Sequence, residues 1–138
     1  MAKNVTSSDG LHLLHLALLV RNIGSARKFY EGYFGFAEGA SEWFGDVLFI
    51  RNADGFDLAL MRGEHPPNPG AFHHFGFQLP SASAVRELQS RLEADGVTII
   101  EVVDESDLTS FKCADPDGYT VEVYATPTYT TGSRTPNS

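Results

Sequence analysis

The chain contains the same order of sequence features twice, and this repeat constrains its fold more than any other feature. Each copy begins with a histidine in a short apolar run, HLALLV from His15 and HFGFQL from His74. Each continues through a helix-like stretch and β-rich runs, and closes on an Asp-Gly pair before a last strand. The two histidines lie 59 residues apart, and the glycines of the Asp-Gly pairs, Gly55 and Gly118, lie 63 apart. Such a repeat indicates two copies of one supersecondary unit.

Each copy contains one readable helix. In the first, Asn22 can cap the helix start, apolar residues recur at helical spacing, and Gly35 suits the end. In the second, Ser81 or Ser83 can cap the start and Gly96 suits the end. The sequence therefore predicts two amphipathic helices, one in each half of the chain.

The remaining apolar segments read as strands. A first strand carries His15 and a fifth carries His74. Asp-Gly pairs at 54–55 and 117–118 mark turns between strands. The other predicted strands lie at 38–44, 46–51, 56–62, 97–103, 109–114 and 118–125. Each half therefore reads as a β-α-β-β-β unit.

The fold expected from this order is α+β. One domain at 11–125 would consist of βαβββ modules at 11–62 and 72–125, with flexible termini at 1–10 and 126–138. One helix covers one face of a four-stranded sheet, so the other face must meet the second module or line a cavity. Two such modules predict a curved, open barrel around a pocket.

Composition excludes several classes of function. A net charge of −8 without a basic stripe argues against a nucleic-acid partner. No apolar run approaches the length of a membrane span, and the polar start lacks a signal-peptide core, so we expect a cytoplasmic protein. The single cysteine, Cys113, excludes an internal disulfide and a Cys-based zinc site, and is expected to be a small buried hydrophobe.

Strand alternation places two histidines and a glutamate on mixed faces that also carry small residues. His15 shares its face with Ala17, His74 shares its face with Gly76, and Glu122 opposes two valines. Two imidazoles and a carboxylate in one pocket form a facial triad, which binds a divalent metal and leaves positions open. From spacing alone, a metal site and purely structural roles for these residues are both compatible with the sequence.

The segments HLALLVRNIGSARKFYEGYFGF, HHFGF and DPDGYTVEVY resemble the vicinal-oxygen-chelate superfamily over residues 11–125. This superfamily groups glyoxalases, extradiol dioxygenases, fosfomycin-resistance transferases, epimerases and bleomycin-binding proteins. The resemblance implies the metal ligands His15, His74 and Glu122, the last lying four residues after the glycine of its motif. It implies one divalent ion, with Fe(II) or Mn(II) favoured and Zn(II) or Ni(II) as alternatives.

Two departures from the family pattern bear on the reaction. Glyoxalase-type members carry a fourth ligand where this chain has Ala59, which argues against glyoxalase activity. Three-ligand members tend to have a tyrosine ten residues before the ligand glutamate, where this chain has Lys112. That cation either holds a substrate oxyanion or is a solvated strand lysine. Beside the ligands, the residues expected at the site are Lys112 and Gln78, which orient substrate, and Trp43, Asp57 and Tyr124, which line the pocket.

The resemblance implies a metal-dependent enzyme that chelates two vicinal oxygens of a small-molecule substrate. A dioxygenase-like reaction and a transferase, epimerase or lyase reaction are both open. The alternative is a metal-free protein that binds a small molecule, as bleomycin-resistance members bind their drug. We expect a homodimer, in which the two modules pair within one chain or are exchanged between chains.

Overall fold

In a computed structural model, the described residues are 10–64 and 72–126. The helices and strands follow the order β-α-β-β-β twice, as the repeat predicts. The predicted linker and terminal tails fall mostly outside the described residues. The elements are β1 His15–Val20, α1 Ile23–Tyr33, β2 Phe36–Phe44, β3 Val47–Asn52, β4 Asp57–Arg62, β5 Phe75–Gln78, α2 Ala82–Ala94, β6 Ile99–Asp104, β7 Thr109–Ala114 and β8 Thr120–Ala125.

Side-chain caps fix where the two helices begin. The Asn22 side chain accepts a hydrogen bond from the backbone N–H three residues on, and Ser81 does the same for α2. Ser81, rather than Ser83, is therefore the cap of the second helix. Gly35 and Gly96 follow the helix ends with φ of 73° and 81°, a region that favours glycine. Neither described helix is long and apolar enough to cross a membrane.

Each module forms its own four-stranded sheet. The strand orders are β1-β4-β3-β2 and β5-β8-β7-β6. The first and last strands of each module are parallel neighbours, and the other pairs are antiparallel. The first strand of each module is thus an edge strand, hydrogen-bonded only to the last strand within the described sheets. The predicted α+β fold of two βαβββ modules is confirmed, and the barrel is open rather than closed.

The helix-facing side of each sheet forms the core. Leu18 and Val20 of β1 are 9% and 0% exposed, and Val121 and Val123 of β8 are both 0% exposed. These are the apolar positions that strand alternation assigns to the helix side. Cys113 is also fully buried, as expected, and burial raises the pKa of its thiol to about 12.

Helix α1 also covers part of the second module. Its Tyr30 ring lies 6.5 Å from the ring of Phe75, and Phe34 lies 4.9 Å from Phe77, measured between ring centroids. At these separations the aromatic pairs are in packing contact. One aromatic cluster therefore joins the first helix to the fifth strand and fixes the modules against each other.

A buried carboxylate adds a polar contact between the modules. Asp115, in the turn between β7 and β8, is 5% exposed and accepts a hydrogen bond of 2.7 Å from the Tyr30 hydroxyl. It also accepts from the backbone N–H groups of Asp117 and Tyr119. Desolvation raises the pKa of Asp115, although these hydrogen bonds act in the opposite direction.

The same turn, residues 115–119, also holds the carboxyl end of β1. Asp117 is 6% exposed, and its Oδ1 accepts a hydrogen bond of 2.8 Å from the backbone N–H of Arg21. The Tyr119 hydroxyl donates to the carbonyl oxygen of Leu19 at 2.8 Å. We call residues 115–119 the inter-module turn, because its polar groups join the start of β8 to the end of β1.

Candidate functional site

His74 and Glu122 meet on the open face of the second sheet. Strands β5 and β8 are parallel neighbours in which Gly76 lies opposite Glu122. His74 precedes Gly76 by two residues and therefore reaches the same face. Its Nε2 lies 3.0 Å from Oε1 of Glu122, and the two side chains are 22% and 21% exposed. The sheet thus brings together two of the three ligands expected from the sequence.

The other ring nitrogen of His74 contacts a backbone carbonyl oxygen. Nδ1 lies 2.5 Å from the carbonyl oxygen of Phe72. A carbonyl oxygen can only accept, so Nδ1 carries the proton of the neutral ring and Nε2 keeps a lone pair. Nε2 and the carboxylate oxygen are then two acceptors 3.0 Å apart, an arrangement that needs a proton or a cation between them.

The chemistry and spacing of this pair fit a metal ion. Metal–nitrogen and metal–oxygen bonds are about 2.0–2.2 Å long, so two ligands at right angles lie roughly 3 Å apart. A metal-bound histidine commonly donates its other N–H to a backbone carbonyl, the contact that Phe72 provides here. His74 and Glu122 would therefore hold the cation through Nε2 and Oε1.

His15 lies across a cavity from this pair. The cavity has a volume of about 650 Å³ and is lined from one side by the start of β1, including His15, and from the other by β5, including His74. The His15 ring stacks on Phe49 with centroids 5.9 Å apart. Across the ranges 10–64 and 72–126, no group of three His, Cys, Asp or Glu side chains is close enough to hold a metal. The chain thus presents a preformed two-residue site, with the third expected ligand facing the same cavity.

The first module has no counterpart of Glu122. In β4 and β1, Ala59 lies opposite Ala17, two residues after His15. In β8 and β5, Glu122 lies opposite Gly76, two residues after His74. Ala59 and Glu122 therefore occupy the same place in the two modules, and Ala59 offers no donor atom. The structure supports the alignment that removes a fourth ligand from the site.

Lys112 lies beside the carboxylate of Glu122. It is opposite Glu122 in the β7–β8 ladder and opposite Glu101 in the β6–β7 ladder. Its Nζ is 2.9 Å from Oε1 of Glu101, and its side chain is 15% exposed. A half-buried ammonium group paired on one side is available to an anion on the other. Sequence reasoning missed Glu101, because a register shift between Ile99 and Glu101 alters the alternation of β6.

Three further residues expected at the site occupy different surroundings. Gln78 lines the cavity that contains both histidines and lies opposite Tyr124. Tyr124 and Glu122 line a second cavity of about 420 Å³. Asp57 lies opposite His15 in the β1–β4 ladder, and its Oδ1 accepts a hydrogen bond of 2.6 Å from Arg51 Nε. These residues flank the His74–Glu122 pair or His15.

Trp43 lies in another part of the molecule. It belongs to the edge strand β2, is 57% exposed, and lines a separate cavity with Ile23 and Met61. The described chain does not bring it to the cavity shared by His15 and His74. Phe72, by contrast, was not anticipated as a site residue. Its contribution is a backbone carbonyl, which its side-chain type cannot reveal.

Both modules of the chain are similar to proteins of one known family. Residues 12–123 match the model of the Glyoxalase/Bleomycin resistance protein/Dioxygenase superfamily. A possible glyoxalase from Bacillus cereus is 30% identical, with a TM-score of 0.69 over 83% of this chain and 98% of that one. The fosfomycin resistance protein FosX from Listeria monocytogenes is 23% identical, with a TM-score of 0.70 over 84% of this chain and 92% of that one.

A glyoxalase/dioxygenase from Nostoc punctiforme is 19% identical, with a TM-score of 0.71 over 92% of this chain and 99% of that one. A search of curated proteins gave no match. The family match spans both modules and both sides of the histidine-lined cavity. The chain therefore belongs to the glyoxalase/bleomycin resistance protein/dioxygenase superfamily.

Proposed function

We propose that the chain is a divalent-metal-dependent enzyme with His15, His74 and Glu122 as metal ligands. Its substrate is a small anion that carries two neighbouring oxygen atoms. The observation that carries this proposal is the His74–Glu122 pair, in which Nε2 of the imidazole faces Oε1 of the carboxylate at 3.0 Å. A bound Fe(II) or Mn(II) ion, with Zn(II) or Ni(II) as alternatives, would act as a Lewis acid on the substrate oxygens.

The residues around the pair account for substrate binding. Lys112 places an ammonium group next to Glu122, where it attracts an anionic substrate group. Gln78 offers an amide donor and acceptor from the wall of the cavity. The apolar residues Phe56, Phe75 and Phe77 line the same cavity and displace water from the bound substrate.

The similar structures support a site for vicinal oxygens. One FosX structure contains Mn(II) and 1S,2S-dihydroxypropylphosphonic acid, a molecule with hydroxyl groups on adjacent carbons and an anionic phosphonate. That ligand combines the two features that the metal pair and Lys112 would recognise. Two classes of reaction are compatible with such a site, and they differ in whether dioxygen is a substrate. An oxygen-dependent reaction would be dioxygenase-like, and an oxygen-independent one would be that of a transferase, epimerase or lyase.

Metal content tests the proposal. Protein purified without oxygen should contain about one Fe or Mn per chain by elemental analysis. His74→Ala and Glu122→Ala should both lose it. His73→Ala is the matched control, because His73 is adjacent and exposed but outside the pair, and it should keep the metal. Absence of metal after reconstitution would contradict the proposal, and oxygen uptake with a panel of catechols would separate the reaction classes.

A second candidate is metal-free binding of a small molecule. The observation that favours it is the cavity itself, which has a volume of about 650 Å³ and many apolar lining residues. Ligand pockets typically fall at about 300–1,000 Å³ with mainly apolar walls. In this case ligands would bind equally well with and without a metal chelator.

We also propose a homodimer. Large apolar side chains remain exposed on the monomer, among them Phe44 at 60%, Ile100 at 42% and Val102 at 50%. A second copy would cover such surface. Mixing His15→Ala with Glu122→Ala protein distinguishes the two arrangements. If the modules are exchanged, the mixture regains about a quarter of the wild-type metal content, and if they pair within a chain it regains none.

A further inference from the structure

Two arginines differ from the others in their surroundings. Across the described ranges, the guanidinium groups of Arg21 and Arg62 have no hydrogen-bond or carboxylate partner. The contact of Arg21 with Asp117 uses its backbone N–H only. The partners of the remaining described arginines are Glu31 for Arg27, Asp57 for Arg51, Asp104 for Arg86, and the Gly32 carbonyl with the Tyr33 ring for Arg91.

These two arginines line the same cavity. It has a volume of about 480 Å³, and the described residues that line it besides the arginines are Gly63 and Glu64. Arg62 ends β4, and Arg21 directly follows the neighbouring parallel strand β1. His15 begins β1, so about 17 Å of strand separates this cavity from the candidate metal site. The arginine cavity is therefore distinct from the site proposed above.

An apolar surface adjoins the arginines. A second cavity of about 500 Å³ shares Arg62 and Gly63 with the first and is lined on its other side by Trp43 and Met61. Trp43 is 57% exposed and Met61 is 43% exposed. A flat aromatic side chain beside a guanidinium group suits a ligand that has both an anionic group and an apolar body.

The charge balance favours an anion at the arginines. The chain carries a net charge of −8, and yet two like charges that have no partner within residues 10–64 and 72–126 face one cavity. Glu64 lines the first cavity and Asp46 lines the second, but neither lies within ion-pair distance of an arginine among the described residues. Guanidinium groups bind carboxylate and phosphate oxygens in a bidentate manner. An oxyanion between Arg21 and Arg62 would remove their mutual repulsion.

We propose that Arg21 and Arg62 form a second binding site, which takes the oxyanion of a small organic phosphate or carboxylate while its apolar body rests on Trp43 and Met61. The site goes beyond the proposed metal chemistry and does not depend on it. Its ligand is defined by the combination of a negative oxygen group and an apolar or aromatic part.

The single tryptophan makes this site directly observable. Trp43 is the only tryptophan in the chain, so its emission reports on this surface alone. We would titrate the full chain with phenyl phosphate, benzoate and inorganic phosphate, and follow both Trp43 emission and heat of binding. Phenyl phosphate and benzoate show which oxyanion is preferred. Inorganic phosphate, which lacks an apolar body, should bind more weakly than phenyl phosphate.

Removing a positive charge and removing a negative charge should change the ligand affinity in opposite directions. Arg21→Gln and Arg62→Gln should each weaken the preferred aromatic ligand by at least about tenfold, because each removes a charge-assisted hydrogen-bonding group. Arg21→Gln keeps the backbone N–H that donates to Asp117. Glu64→Gln should tighten binding several-fold at low salt, since it removes a repelling carboxylate. Arg86→Gln, an exposed arginine elsewhere, and His74→Ala should leave the affinity unchanged.

Two results would overturn the proposal. One is the absence of saturable binding by both emission and calorimetry for all three probes. The other is binding that survives unchanged in the Arg21→Gln, Arg62→Gln double variant. Since His74→Ala is expected to abolish metal binding without affecting this site, failure of either proposal is recognisable separately from the other.

Discussion

At the scale of single residues, the carbonyl of Phe72 determines the chemistry of His74. It accepts from Nδ1, so Nε2 faces Glu122 as the lone pair of the neutral ring or as the N–H of the imidazolium. Strand alternation is enough to predict that both side chains share a face. It cannot predict the tautomer, because that depends on a backbone group whose direction is set by the chain before β5. Strand alternation therefore predicts that the two side chains meet, whereas the contact of Nδ1 with a backbone carbonyl required the structure.

Glu122→Gln should separate metal binding from folding. The Gln amide can donate to Nε2, so the pair no longer needs a cation. We expect metal affinity to fall by at least about tenfold, while stability in a chelator stays equal or rises by up to about 1 kcal/mol. Metal titration and chemical denaturation in chelator measure the two effects. A variant that is less stable than wild type in chelator would contradict this account of the pair.

Cys113 should be unreactive in the folded protein. Burial raises the pKa of its thiol to about 12, so at pH 8 almost none of the reactive thiolate is present. A chromogenic disulfide reagent should therefore label no thiol in the native protein and one thiol per chain in denaturant, as the sequence contains a single cysteine. Rapid labelling of the native protein at pH 8 would show that β7 opens readily.

At the scale of elements, the two modules use the same turn for different purposes. In the first module, Asn52 Oδ1 accepts from the N–H groups of Asp54 and Phe56. In the second, Asp115 Oδ1 accepts from Asp117 and Tyr119, which lie 63 residues later in each case. The helix caps and Asp-Gly turns that build these elements are local, and the sequence predicts them well. The Asp115–Tyr30 contact joins residues that are 85 positions apart, so no local sequence pattern predicts it.

Asp115 should make stability depend on pH. Its folded pKa is raised by burial, so its contribution is fully present below the ordinary Asp pKa and is lost as pH rises through the folded pKa. Asp115→Asn removes this titration and keeps a side-chain oxygen for the turn. We expect the stability of wild type relative to Asp115→Asn to decline as pH increases from about 4. Urea denaturation across this range is the test, and a rising difference would contradict the sign.

At the scale of the whole molecule, the inter-module turn sets how the two halves meet. Its hydrogen bonds with Leu19 and Arg21 hold the start of β8 against the end of β1. The repeat predicts two modules, but not their mutual orientation, because that orientation rests on contacts between residues about 100 positions apart. The family resemblance and the repeat together were enough for the fold. The position of His15 relative to His74 required the structure.

Asp117→Ala should lower the free energy of unfolding more than Asp54→Ala, the equivalent substitution in the first module. Removing the Asp117 carboxylate leaves the Arg21 N–H without its partner, at an expected cost of about 1–3 kcal/mol. Asp54→Ala is the matched control, since Asp54 occupies the same position in the first turn and is exposed. Its expected cost is below about 0.5 kcal/mol. Equal costs in urea denaturation would show that the inter-module contact does not stabilise the fold.

The two copies of the Asp-Gly turn have different surroundings in the folded chain. One copy fastens the modules together at the end of β1, whereas residues 52, 54 and 56 of the other copy form a wall of the cavity between His15 and His74. Substitutions in residues 115–119 should therefore act on the junction between the modules, whereas substitutions at residues 52, 54 and 56 should act on the wall of the cavity. The same local turn, present twice, thus joins the two modules in one copy and lines the space between His15 and His74 in the other.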